Sequence, residues 1–274
     1  MITFPNAKIN LGLNIVSRRP DGYHNIETVF YPIPLTDALE IVPSRSGATT
    51  LTCYGRKVDC PVEKNLVMKA CRLLQAQCGL PAVDMFLYKH IPDGAGLGGG
   101  SSDASHVLTM LNSMFSLGLS ANELKALAST LGADCAFFIE NRPVMATGIG
   151  NVFAPVEVDL KGKFLFLVKP DVSVSTAQAY AQVTPKLSQE PLASILAHPI
   201  VQWQSGGLKN DFEPGVFAQF PELGEVKQAI EQAGALYCSM SGSGSSIFGI
   251  FDDVKLAEAL CSQFAKCAHY VMPL

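Results

Sequence analysis

The stretch that most limits what this chain can fold into is IPDGAGLGGGSSDAS, residues 91–105, where five of the seven residues from 94 to 100 are glycine. Glycine accepts positive φ and lets bare backbone approach a partner without a Cβ in the way. Val107, Leu108, Leu111, Met114 and Phe115 follow at helical spacing, so the loop opens directly onto an amphipathic helix. Successive N–H groups in such a loop, continued by a helix N-terminus, form an anion site for which phosphate is the natural guest. A flexible linker has no need to run into so well patterned a helix.

The two common phosphate loops fit poorly. Gly94-Ala-Gly96-Leu-Gly-Gly99 matches G-x-G-x-x-G, yet residues 83–89 alternate as a half-buried strand does, and Pro92 interrupts. A Walker A loop would place Lys before Ser101, and none is there. Ser101, Ser102 and Asp103 offer hydroxyls and a carboxylate to Mg2+ and phosphate oxygens, or they simply cap the helix.

Elsewhere the pattern is mixed. Ile9, Leu11, Leu13 and Ile15 alternate with Asn10, Gly12 and Asn14, the period of a half-buried strand, and Pro20-Asp21-Gly22 marks a turn. Further strands are expected over 26–33, 38–43 and 83–89, and a helix over 64–77 ended by Gly79. Ser120-Ala-Asn-Glu123 reads as a capping box opening a helix that runs to Gly132. Pro155 and Gly162 bracket a boundary, giving domains 1–154 and 155–274. Beyond it strands (163–169, 235–240, 246–251) interleave with helices (222–233, 254–266) in an α+β manner.

Apolar residues make up 48% of the chain and charged residues 16%, which supports a packed core. A net charge of −4 without a basic block excludes a nucleic-acid partner, and no apolar run reaches membrane-span length. The first fifteen residues carry Lys8 inside their apolar stretch, so no signal peptide is expected and a cytoplasmic location is. Eight cysteines without a Cys-x-x-Cys pair, and five histidines that do not cluster with them, point to reduced, core-lining thiols rather than zinc or disulfides.

Three stretches converge on a family. PNAKINLGLNI (5–15), PDGAGLGGGSSDAS (92–105) and SMSGSGSSIFG (239–249) resemble the three motifs of the GHMP kinase superfamily. With RRPDGYHNIETVF (18–30), LGADCAFF (131–138) and ATGIGN (146–151), the chain resembles its 4-diphosphocytidyl-2-C-methyl-D-erythritol kinase family. The resemblance implies a two-domain α+β fold, with an N-terminal ribosomal-S5-like domain and a C-terminal ferredoxin-like domain. It implies phosphorylation of the substrate's 2-hydroxyl with ATP and Mg2+, in an enzyme that is a monomer or homodimer.

The family's catalytic lysine falls on Lys8 and its catalytic aspartate on Asp134. Its ATP loop falls on Pro92, Asp93, Gly94, Ala95, Gly96, Leu97, Gly98, Gly99, Gly100, Ser101 and Ser102. Substrate contacts fall on Asn10, Tyr23, His24 and Thr176, and Tyr180 takes the place of the aromatic residue that helps sandwich cytosine. Gly242 and Gly244 are the positions of the third motif that must stay slim. Where the family usually has Val-Pro after the aspartate this chain has Cys135-Ala136, and it has Asn151 for Glu and Ser105 for Ala.

Chemistry gives these residues roles. A carboxylate at Asp134 can accept the alcohol's proton, and Lys8 can hold it ionised and polarise the hydroxyl or the γ-phosphate. On residues alone Asp134 reads equally as a helix cap and capping is the rival for Thr176, whereas one Lys in an otherwise apolar strand fits a functional site better than a surface lysine at a strand edge. Tyr23 and Tyr180 offer flat faces to a pyrimidine, and neutral His24 can both donate and accept at its edge. Another GHMP kinase acting on homoserine, mevalonate or a sugar, an inactive nucleotide-binding module, and a dinucleotide oxidoreductase are the alternatives.

Overall fold

The computed structural model describes residues 1–58, 60–188 and 190–274. The chain forms two compact units, and each is assembled from several stretches. The expected division at 154/155 follows chain order; the units cross it because β2 (Asn6–Arg18) and β3 (His24–Thr36) each contribute to both.

Unit 1 comprises residues 1–8, 35–93 and 98–142. Its sheet is built from β1 (Ile2–Thr3), β4 (Ala38–Pro43), β5 (Thr50–Gly55) and β6 (Val83–Lys89), in the order β1-β4-β6-β5. β6 runs antiparallel to β4 and parallel to β5, which is not the buried parallel strand of a dinucleotide fold. Val83, Met85, Leu87 and Lys89 all lie on its buried face, so the strand period carries a lysine into the interior. The unit's helices are α1 (Leu66–Cys78), α2 (Gly99–Met114), α3 (Ala121–Leu131) and α4 (Phe137–Glu140). Asn65 caps α1 through Val67 N, and Gly79 ends it at φ 65°. The capping box of Ser120 and Glu123 forms as expected.

Unit 2 comprises residues 9–34, 94–97 and 143–274. One sheet follows the order β2-β3-β7-β8, with β7 (Val144–Thr147) and β8 (Val152–Pro155). Then come β9 (Phe164–Lys169), α5 (Thr176–Ala181), α6 (Leu192–Leu196), α7 (Glu213–Gln219), α8 (Pro221–Gln232), β10 (Tyr237–Met240), β11 (Ile247–Phe251), α9 (Val254–Gln263) and β12 (Ala268–Pro273). The second sheet is antiparallel in the order β10-β11-β9-β12. With α8 and α9 as its crossovers, this is the βαββαβ ferredoxin-like arrangement that was expected. Phe166, Val168, Ile230, Ile247, Phe251 and Leu260 lie in its core.

β2 departs from the half-buried strand its alternation suggested. Every residue from Ala7 to Ile15 is buried, so the polar row of Lys8, Asn10 and Asn14 is covered as well. Polar groups in such a place must be paired or used. The thiols are mixed: Cys71, Cys135 and Cys238 are buried, whereas Cys53 and Cys78 are exposed. Among the described residues no helix is long and apolar enough to cross a membrane.

Candidate active site

Within unit 1, Lys8 Nζ lies 3.6 Å from Asp134 Oδ2. Lys8 is 3% exposed, while the Asp134 side chain keeps 32% of its surface open. The carboxylate therefore meets a buried cation on one side and remains reachable on the other. Burial pushes the Lys8 ammonium below its ordinary value of 10.5, against the raising effect of Asp134. Asp134 sits in the turn between α3 and α4, and its carboxylate is paired with Lys8.

The glycine loop touches this pair. Gly98, at φ 71°, is the residue before α2, and a Cβ there would stand 3.3 Å from Lys8 Cγ and 2.9 Å from a Phe138 ring carbon. The absence of a side chain lets the Lys8 stem run against the loop backbone. No side chain caps α2 at its start, which leaves its first N–H groups available to a ligand. Gly94 faces open space, and a Cβ on Gly100 would meet only a Leu66 methyl carbon at 3.9 Å. Pro92, Ala95 and Leu97 are buried, so their side chains anchor the loop and only its backbone is available to phosphate.

Asp103 does not face the loop's open side. It is 1% exposed, and Lys89 Nζ donates to its Oδ2 at 2.7 Å. Burial pushes its carboxyl up to about 7 despite the pull of Lys89. Ser102 is also buried, whereas Ser101 stays partly open. The Cys135-Ala136 departure is supported locally. Ser105, itself a departure, donates from Oγ to Cys135 O at 2.6 Å and so holds the segment that carries Asp134. Burial raises the Cys135 thiol to about 11.

In unit 2 the Ser241–Ser245 segment between β10 and β11 packs on the apex of the glycine loop. Ser241 Oγ donates to Gly96 O at 2.9 Å, and a Cβ on Gly96 would lie 1.9 Å from Ser241 O. Gly242 and Gly244 have the slimness expected of them: a Cβ would meet Gly96 Cα at 3.3 Å and Met240 Sδ at 2.7 Å, respectively. Asn210, whose role the sequence left open, donates from Nδ2 to Met240 O and Gly242 O at 2.8 and 2.7 Å. Asp211 Oδ2 accepts from Ile15 N at 2.8 Å. Together they fasten the hairpin and β2 to the start of α7. Asn10, 2% exposed, donates from Nδ2 to Thr28 Oγ1 at 2.9 Å. Its Oδ1 lies 3.5 Å from the place a Gly242 Cβ would take.

Tyr23, His24, Thr176 and Tyr180 line one cavity of about 790 Å³, together with Arg18, which sequence reasoning did not single out. The PDGYH turn presents Tyr23 and His24, and α5 presents Thr176 and Tyr180. Asp21 Oδ1 accepts from Tyr23 N at 3.1 Å, Arg19 Nη2 donates to Asp21 Oδ2 at 2.8 Å, and Gly22 supplies φ 86°. Tyr23 is 62% exposed, while His24 stacks on Tyr180 with centroids 4.8 Å apart and planes 17° apart. Phe212 meets the same tyrosine edge-on at 4.8 Å. His24, the first residue of β3, thus lies against Tyr180 while remaining in the cavity lining. Thr176 opens α5, and its hydroxyl pairs with Ser243 Oγ at 2.9 Å.

Known proteins match over both units. The GHMP kinases N terminal domain model matches residues 65–142, and the GHMP kinases C terminal model matches residues 199–268. The chain is similar to the 4-diphosphocytidyl-2-C-methyl-D-erythritol kinase of Bacteroides fragilis, 53% identical over 269 residues, covering 97% of this chain and 98% of that one. It is similar to the protein of the same name from Parabacteroides distasonis, 54% identical over 252 residues and 92% of each. A crystal structure of 4-(cytidine 5'-diphospho)-2C-methyl-D-erythritol kinase superposes with a TM-score of 0.84 at 33% identity, covering 99% of this chain and 98% of that one.

Proposed function

The chain belongs to the 4-diphosphocytidyl-2-C-methyl-D-erythritol kinase family of GHMP kinases, and from that premise we propose how its residues transfer a phosphoryl group. The reaction is ATP-dependent phosphorylation of the 2-hydroxyl of that cytidylated alcohol, a step in making isoprenoid precursors. The observation that carries the residue assignment is the Lys8–Asp134 pair standing beside Gly98.

Phosphoryl transfer asks a protein chiefly to align the γ-phosphoryl with the attacking oxygen and to stabilise spread negative charge. Asp134, open on one side, accepts the hydroxyl's proton as the new P–O bond forms. Lys8 pairs with that carboxylate and faces the charge developing on the phosphoryl oxygens. The backbone from Gly94 to Gly100 and the uncapped start of α2 hold the phosphates through N–H groups. Asn10 is assigned to substrate binding by its place in the first family motif.

Among the described residues no three His, Cys, Asp or Glu side chains group as a metal site. Mg2+ binds mostly through substrate phosphates and water, with one or two protein oxygens. Ser101, partly open on the first turn of α2, is the hydroxyl that would help hold it. When bound, the ion neutralises charge on the phosphate oxygens. The location we assign is the cytoplasm.

The cavity around Tyr23, His24 and Tyr180 takes the cytosine end of the substrate, with Tyr23 the exposed face. Base–aromatic stacking is worth about 1–3 kcal/mol. Tyr23→Ala should therefore raise KM for the cytidylated substrate about 5- to 150-fold and change KM for ATP little. Steady-state kinetics on the cytidylated alcohol, homoserine and mevalonate tests the whole reading. A higher kcat/KM for either rival would overturn it.

Lys8 provides a pH signature. Its charge is lost as pH rises through a pKa that burial places below 10.5. The kcat/KM profile, which reports free-enzyme groups, should show an alkaline fall centred below 10.5. Lys8→Arg, permanently charged, should retain residual activity without that fall. A wild-type midpoint at or above 10.5 would contradict the assignment.

A further inference from the structure

Beneath the glycine loop lies a buried charge cluster that the reaction does not use directly. Lys89, the last residue of β6, is 4% exposed, and Asp37 and Asp103 are each 1% exposed. Lys89 Nζ donates to Asp103 Oδ2 at 2.7 Å and also to Asp37 Oδ2. Asp37 Oδ1 accepts from His90 N at 2.6 Å and from Ile91 N at 2.8 Å. A Cβ on Gly99, the first residue of α2, would lie 3.3 Å from Lys89 Nζ and 2.9 Å from Ile91 Cγ2. All of these residues belong to unit 1.

We infer that the Lys89–Asp37–Asp103 cluster is the positioning device of the nucleotide loop, tying the strand that enters the loop to the helix that leaves it. This rests on the reading that the glycine loop holds ATP. The loop itself has almost no side chains with which to define its shape. Its two stems do: Asp37 grips the backbone of His90 and Ile91 on the entering side, and Asp103 lies on the second turn of α2 on the leaving side. Lys89 joins the two carboxylates, so one ammonium sets the distance between the stems. That distance fixes where the first N–H groups of α2 point, and a displacement of about 1 Å at such a place costs on the order of 10²-fold in rate.

A device that only stabilises the fold would affect both substrates alike. A device that sets the phosphate loop acts on one. Lys89→Met should raise KM for ATP at least about tenfold while KM for the cytidylated substrate stays within about twofold. Steady-state kinetics with each substrate varied in turn, together with a melting curve, reads both. An unchanged KM for ATP, or equal changes in both KM values, overturns the inference. Removing one partner of a buried ion pair is strongly destabilising, whereas removing both charges is far less so. If Lys89→Met does not fold, Lys89→Met/Asp37→Asn/Asp103→Leu, which leaves no unpaired carboxylate and keeps an oxygen at residue 37 for His90 N and Ile91 N, takes its place under the same criteria. If that variant also fails to fold, the cluster serves the fold and the positioning role is withdrawn.

Gly100→Glu separates this inference from the reading beneath it. The position is open, its nearest atom being a Leu66 methyl carbon at 3.9 Å, and it places a negative charge at the loop. If Gly100→Glu raises KM for ATP and Lys89→Met does not, only the cluster's role fails. If neither does, the glycine loop is not the ATP site.

Discussion

Asp134→Asn is expected to lower kcat by about 10²–10⁴-fold, the usual worth of a positioned general base. The amide keeps the size of the side chain and an oxygen toward Lys8, but it cannot take a proton. ATP binding should be nearly unaffected, because the proposed phosphate site is made of backbone N–H groups and not of this carboxylate. Product release can hide a slower chemical step, so single-turnover rapid quench is the measurement that reads it. A variant whose single-turnover rate stays within about tenfold of wild type would leave Asp134 as an orienting group only.

Gly96→Ala is expected to be the most damaging small change in the chain. Its φ of 74° lies in the left-handed region, where a side chain costs about 1–2 kcal/mol. The added Cβ would also stand 1.9 Å from the Ser241 carbonyl oxygen, so backbone must move on one side or the other. Overpacking of that kind adds about 1–3 kcal/mol. The sum, about 2–5 kcal/mol, should appear in urea unfolding, with loss of kinase activity as the loop leaves its place. Gly94→Ala is the matched control. Gly94 has φ 57° but open surroundings, so only the conformational cost applies. Equal destabilisation by the two changes would show that the Ser241 contact is not what holds Gly96.

The sequence made local features plain because local chemistry causes them. The capping box at Ser120, the stop at Gly79 and the alternation of β4 and β6 need no partner from elsewhere in the chain. β5 escaped notice because, at the sheet edge, almost all of its residues are exposed and no alternation results. The glycine loop announced a phosphate site, yet only the family resemblance selected Lys8 and Asp134, since nothing in their spacing says that they meet. Asp103 shows the limit most clearly. As a residue it read as a cap or a magnesium ligand; it became a buried ion-pair partner only when folding brought Asp37 and Lys89 to it. Asn210 and Asp211 were equally silent, because their hydrogen bonds reach β2 and the β10–β11 turn.

The buried thiol next in sequence to Asp134 bears on how the enzyme could be inhibited. A cysteine adjoining the proposed general base invites electrophilic warheads, but Cys135 is fully enclosed and its proton stays on until strongly alkaline pH. Only a thiolate reacts quickly with such reagents. Alkylating compounds would modify the exposed Cys53 or Cys78 before Cys135. Reversible ligands shaped to the cavity lined by Tyr23, His24 and Tyr180 are the better starting point for drug discovery.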